Sequence, residues 1–281
     1  MLERQPSRTA LGAAGYRAAH QMLEDGAVFR DPFAHAMLGP AADAIIAGLS
    51  ADPGQAPIRL FMAARSRFAE DQLAAAVARG VRQAVVLGAG LDTFALRNPH
   101  VGLGLKVFEA DHPETQAWKR RRLAETGLPL PAGLTFAAVD FERENLGQGL
   151  AAAGFATAQP AFFIWLGVVP YLGRAAITAT LEEIARVPQA EVVLDYSEPL
   201  ENYPPALRAE MEVVAAWAAT MGEPWLSHFD RAEMSQLLSA HGLGEQEDLG
   251  LAEIGVRYLG AAPDAAPRAP TPHVVWARRA D

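Results

Sequence analysis

The 281-residue sequence predicts an α/β protein built on an open, doubly wound, mostly parallel sheet. Three observations carry that prediction. Short apolar runs alternate with helical patterns between residues 83 and 200. Several runs are continuously apolar, as strands covered on both faces must be. The first of them, QAVVLGAG, closes on a glycine pair, Gly88 and Gly90, at its carboxyl end.

Residues 1–80 read as helical and end in RSRFAEDQLAAAVARG, where Phe68, Leu73 and Val77 form an apolar stripe before Gly80. QAVVLGAG is the first strand. LKVFEAD (105–111), LTFAAVD (134–140), AFFIWLG (161–167) and EVVLDYS (191–197) continue the series. After the second strand, Pro113 takes a first helical position and Gly127 closes the helix. After the fourth, Ile177, Leu181 and Ile184 fall at i, i+4 and i+7, and Pro188 stops that helix. Residues 201–243 read as mainly helical, with Asp230 and Glu233 as a capping box. A proline-rich loop (262–272) precedes a last strand, HVVWARR (273–279). The expected organisation is a single domain. It has a helical lid over 1–80, an α/β core over 81–200, a helical cap over 201–243 and C-terminal strands over 244–281.

Composition narrows the function. A net charge of −9 argues against nonspecific nucleic-acid binding. The basic run Lys119 to Arg122 lies on one helix without interleaved aromatics and reads as a solvated face. With no cysteine, disulfides, thiolate metal sites and cysteine nucleophiles are excluded. The seven histidines show no metal-ligand spacing, so no metal is expected. The start, MLERQPSRTA, lacks the apolar stretch of a secretion signal, and the longest apolar run, AFFIWLGVVPYL, is short and interrupted by Pro170. A soluble, cytoplasmic protein with no membrane partner is the expectation.

The glycine turn points to a ligand lying against bare backbone. In open parallel sheets, ligands bind beyond the carboxyl ends of the strands. The second strand ends in Glu109-Ala110-Asp111, two carboxylates on one face of the strand. Asp111 follows Gly90 by about the 20 residues at which an acid meets a ribose hydroxyl pair in nucleotide-binding sheets. That combination favours an adenosine cofactor. Nicotinamide sheets place a third glycine under a pyrophosphate, but here that position is Thr93, and Asp92 sets a negative charge where phosphates would lie. S-adenosylmethionine carries no phosphate and has a cationic sulfur, so acids near it are favourable. It is the cofactor of choice, with a nicotinamide-dependent oxidoreductase as the alternative.

The blocks RSRFAEDQLAAAVARGVRQAVVLGAGLDTFALR, FEADHPETQAWKRRRL, AVDFERENL and WLGVVPYL, in that order, resemble the leucine carboxyl methyltransferase family over roughly residues 10 to 200. The family includes bacterial O-methyltransferases of polyketide and other secondary metabolism. The resemblance implies a class I, Rossmann-like methyltransferase sheet of seven strands. It implies that Arg65 grips the carboxylate of S-adenosylmethionine, with Arg17 as a second basic contact. It also sets Gly88, Ala89 and Gly90 against the methionine portion, Asp111 on the ribose with Glu109 as its substitute, and Asp140 and Phe141 at the adenine. Two positions depart from the family pattern. Leu166 stands where members often carry glutamate, and Phe94 where many carry a polar residue, which makes the pocket more apolar. A methyltransferase fold without catalysis, serving as a binding protein, therefore stays open.

Methyl transfer to oxygen is a displacement whose main requirement is alignment. A carboxylate acceptor needs no base, whereas a hydroxyl is helped by one. The catalytic candidates near the strand ends are Tyr171, Tyr196 and His228, with Asp195 as a substrate contact. Trp217 and Trp225, in a segment read as helical, either line a pocket for an aromatic acceptor or pack the cap. The expected acceptor is a carboxyl or hydroxyl oxygen of a small metabolite or peptide.

Overall fold

The structure, a computed structural model, describes residues 8–141, 143–220, 222–262 and 272–279. Its strands are β1 (Gln83–Leu87), β2 (Lys106–Asp111), β3 (Leu134–Ala138), β4 (Phe162–Trp165), β5 (Glu191–Ser197), β6 (Glu245–Leu249) and β7 (Pro272–Arg278). They form a seven-stranded sheet in the order β3-β2-β1-β4-β5-β7-β6. The chain packs as two compact units, Met1–Ala156 and Thr157–Asp281.

In the first unit β1, β2 and β3 run parallel, with Leu87 opposite Ala110 and Asp111 opposite Ala138. Their carboxyl ends therefore finish side by side. Four helices precede them, as the first 80 residues predict: α1 (Arg8–Leu23), α2 (Ala34–Leu38), α3 (Ala42–Ala51) and α4 (Ala56–Ala78). Alanines at 14, 18 and 19 let α1 approach closely, and they share a core with Met37, Ile46, Leu91 and Leu123. The predicted stripe of Phe68, Leu73 and Val77 on α4 is buried. Three further helices are α5 (Phe94–Arg97), α6 (Pro113–Thr126) and α7 (Leu146–Ala152). Pro113 opens α6, the His112 ring accepts from Glu114 N, and Gly127 closes the helix at φ +67°.

One expectation for α6 is corrected. Its basic run is not a solvated face throughout. Lys119 is buried, and Arg122 donates to the carbonyl of Ala36 in α2. The helix turns those two residues inward every third position while Arg120 and Arg121 stay exposed.

In the second unit β4 and β5 are parallel, and β7 lies antiparallel to both β5 and β6. Its helices are α8 (Arg174–Ala185), α9 (Pro205–Thr220), α10 (Arg231–Ala240) and α11 (Leu251–Tyr258). Ile177, Leu181 and Ile184 form the buried stripe of α8, and Asp230 caps α10 by accepting from Glu233 N. The helical reading of 201–243 holds for α9 and α10 but not between them. Residues 223–230 form an irregular strap, because Pro224 cannot continue a helix and the backbone bonds elsewhere. Leu226 N and Ser227 N donate to Pro170 O, and Phe229 N donates to Ser197 O. Helix α11 separates the two C-terminal strands. The side chain of Trp217 and loop residues 263–271 lie outside the described residues. Among the described residues, no helix is long and apolar enough to cross a membrane.

Candidate functional site

The glycine turn is built from the ends of β1 and β2. Gly88 N and Ala89 N both donate to Ala110 O, which bends the chain out of β1 over its neighbour. Gly88 and Gly90 take φ of +63° and +45°, a region that side chains with a Cβ resist. A Cβ on Gly90 would also stand 3.1 Å from the methyl group of Ala10 on α1. The turn is thus bare for two reasons, backbone conformation and the close approach of α1.

Asp111 faces this turn. Its carboxylate accepts from Gly90 N and, at 2.7 Å, from His112 N. Burial pushes its carboxyl above the ordinary aspartate value, against the pull of those two N–H groups and of Lys119. A carboxylate has about four acceptor positions, so beyond these two donors it can accept from others. One strand further, Val139 N donates to Asp111 O, and Asp140 follows with its carboxylate 3.9 Å from His112 Nε2. Asp140 and Phe141 are both partly exposed. Gly88, Ala89, Gly90, Asp111, Asp140 and Phe141 therefore share one edge of the three parallel strands. This donor and acceptor set fits an adenosine cofactor without phosphates.

Three expectations change. Glu109 does not stand beside Asp111 as a second ribose acid. Its side chain is 2% exposed, and its Oε2 lies 2.6 Å from Lys119 Nζ. Burial pushes its carboxyl up, and Lys119 pulls it back. Arg17 does not face an open cleft either. Its guanidinium donates to Asp31 Oδ2 at 3.0 Å and to Leu91 O at 2.8 Å, fastening α1 to the glycine turn. Arg65 is buried on α4, at 6% exposure.

Tyr196 is the third change, from catalytic candidate to structural residue. It is 1% exposed, donates its hydroxyl to Asp248 and stacks on His273 at 4.9 Å. Burial and the adjacent carboxylate raise its pKa, so the phenol keeps its proton and cannot serve as a base. Asp195 is also buried, and its carboxylate accepts from Gly167 N. It shapes the loop after β4, where Gly167 takes φ +72°.

Tyr171 and His228 belong to the loop after β4 and to the strap bonded to that loop. Ser227 Oγ donates to Leu172 O at 2.6 Å, and Arg174 donates to His228 O at 2.8 Å while covering the Phe229 ring. The His228 and Trp225 rings meet edge to face, 6.2 Å apart. His228 Nδ1 is enclosed and has no hydrogen-bond partner among the described residues. The strap places an imidazole and an indole beside the carboxyl ends of β4 and β5.

Sequence reasoning missed a charged hub beneath the turn. Asp31, on the loop after α1, accepts from Arg17 Nε and from Thr93 Oγ1, with Arg97 Nε at 3.8 Å. Arg97 in turn grips Glu70 with both terminal nitrogens and covers the Phe29 ring. No local pattern marks these residues, since Asp31 and Thr93 are 62 positions apart.

Comparison with known proteins places the sequence in a family. The family model described as leucine carboxyl methyltransferase matches residues 10–185. A Bacillus subtilis protein, YktD, is 32% identical over 76% of this chain and 71% of its own length. A Rhodococcus jostii protein is 32% identical over 91% of this chain and 88% of its own. Both are provisionally named S-adenosyl-L-methionine-dependent methyltransferases. Among solved structures, one from Thermobifida fusca overlays with a TM-score of 0.62 at 14% identity, covering 99% of this chain and 96% of its own, which supports the fold. The chain belongs to the leucine carboxyl methyltransferase family and is an S-adenosylmethionine-dependent methyltransferase of the class I, Rossmann-like fold.

Proposed function

We propose that this enzyme methylates a hydroxyl or carboxyl oxygen of a small, largely apolar acceptor, a metabolite or short peptide, and that Tyr171 and His228 contact it. The observation that carries the reading is the strap, which holds Trp225 and His228 against the loop after β4. Leu166 in that loop supplies no charge for a polar acceptor to meet.

When bound, S-adenosylmethionine would supply an electrophilic methyl group for the acceptor oxygen. The chain's residues hold the two partners. Asp111 would accept from the ribose hydroxyls, Asp140 and Phe141 would meet the adenine, Arg65 would pair with the carboxylate, and Gly88 to Gly90 would leave room along the backbone. His228 takes the proton from a hydroxyl acceptor as its oxygen attacks. For a carboxylate acceptor no proton moves, and His228 then only packs against it.

The reading is tested by incubating the enzyme with methyl-labelled S-adenosylmethionine and a panel of phenols, alcohols and carboxylic acids. A labelled product that releases methanol in alkali is an ester, and one that resists is an ether. Methylation confined to nitrogen acceptors would overturn the proposal. For a hydroxyl acceptor, His228→Gln is expected to lower kcat by about 10²–10⁴-fold; for a carboxylate it should change kcat little. The cofactor assignment has its own check. Asp111→Ala is expected to weaken S-adenosylhomocysteine binding by about 1.5–3 kcal/mol in calorimetry, the range for hydrogen bonds to a charged group. Wild-type affinity in the folded variant would remove Asp111 from the ribose.

A further inference from the structure

We propose that Lys119 is a positioning residue for cofactor binding: from beneath the strand end, it holds Asp111 as the carboxylate that the ribose requires. This rests on the reading of Asp111 as the ribose acid. Glu109 and Asp111 are two residues apart on β2 and so share a face of the strand. Lys119 and Gln116, one turn apart on α6, both reach that strand. Lys119 Nζ lies 2.6 Å from Glu109 Oε2, and Gln116 Nε2 donates to Glu109 O at 3.3 Å. Both partners of the ion pair are almost wholly buried.

Stability alone gives little reason for this pair. A buried ion pair replaced by apolar side chains of similar volume often leaves a protein as stable or more so. The surroundings suggest what else the pair does. Asp92 from the turn after β1 and Asp111 from the end of β2 both act on Glu109 as like charges. Lys119 from α6 acts on both Glu109 and Asp111, and His112 also acts on Asp111 from the neighbouring position. Burial favours the protonated form of Asp111, and the Lys119 charge opposes it. A protonated Asp111 loses the symmetric acceptor pair that two ribose hydroxyls need.

The sign of the expected effect follows. S-adenosylhomocysteine affinity should fall as the pH drops through the Asp111 pKa, giving an acid limb. Lys119→Met removes the cation that favours the Asp111 carboxylate, so the limb should move to higher pH. Glu109→Gln leaves the Lys119 charge with no carboxylate beside it, so the limb should move the other way. A generic loss of stability cannot produce opposite shifts. If Lys119→Met does not fold, the double variant Glu109→Gln/Lys119→Met contains no stranded buried charge. Its limb should lie above that of Glu109→Gln alone, the difference reporting Lys119 by itself.

Calorimetric titration with S-adenosylhomocysteine across the acid range reads these shifts, with circular dichroism establishing that each variant is folded. Opposite displacement of the two single variants, or the stated order of Glu109→Gln and the double variant, supports the proposal. Folded variants that all keep the wild-type limb overturn it, leaving Lys119 a packing residue while the Asp111 assignment stands. If Asp111→Asn binds with wild-type affinity and shows the same limb, the ribose assignment itself fails and this proposal with it.

Discussion

Replacing Asp31 with alanine is expected to lower folding stability by about 3–5 kcal/mol, the cost of leaving buried charge uncompensated. Asp31 has no exposed surface. Without it, Arg17 keeps, among the described residues, the carbonyl of Leu91, and the Thr93 hydroxyl loses its acceptor. The α1 helix would then lose its fastening to the glycine turn, so cofactor affinity should fall together with stability. The pH dependence gives a second check. Burial raises the Asp31 pKa, but Arg17, Arg97 and the Thr93 hydroxyl together hold it below the usual aspartate range. A depressed carboxyl contributes its stability above the unfolded pKa and loses it as pH falls through the folded one. Urea melts should therefore show wild-type stability declining below the ordinary aspartate range, and a flatter decline in Asp31→Asn. A loss under about 1 kcal/mol at neutral pH would show that the hub is not a keystone of the unit.

Gly88→Val is expected to abolish cofactor binding while leaving the sheet largely formed. Valine favours strands, but at φ +63° a β-branched residue is strained by about 1–3 kcal/mol. That strain weakens the fold without destroying it. Its side chain also stands on the backbone surface that the methionine portion is proposed to touch. Calorimetry with S-adenosylhomocysteine and a far-ultraviolet spectrum separate the two effects. Binding retained in this variant would mean that the turn serves packing alone.

The strands of the core were readable because burial writes itself into composition. The runs at 83–90, 105–111, 134–140, 161–167 and 191–197 contain β1 to β5, the first four trimmed by one to three residues where the chain turns and the fifth matching β5. Caps were readable for a similar reason, since Pro113, Gly127 and Asp230 act on backbone atoms within a few residues. β6 is different. Its sequence, EQEDL, has no apolar alternation, and it becomes a strand only because β7 offers a free edge. Charged partners were the least legible. The pattern marks Lys119 as one member of a basic run, yet the helix phase turns it toward Glu109. Tyr196 stands at a strand end as a catalytic tyrosine would, but its partner Asp248 lies 52 residues away. Periodicity reports which side of an element is covered, and says nothing of which distant group does the covering.

The strap between Gly222 and Arg231 hangs from carbonyl oxygens of Pro170, Leu172 and Ser197, with Leu226, Ser227 and Phe229 donating backbone N–H groups to the first and last of these. Such anchors are indifferent to most side chains. Drift at Trp225, Leu226 or His228 can therefore proceed without the segment losing its place. The match to the family model ends at residue 185, before the strap begins. On the reading proposed above, selection for a new acceptor would find here a short, tolerant stretch to rewrite, while the residues proposed to hold the methyl donor stayed under an older constraint. Libraries randomised at those three positions are the natural starting material for redirecting the enzyme.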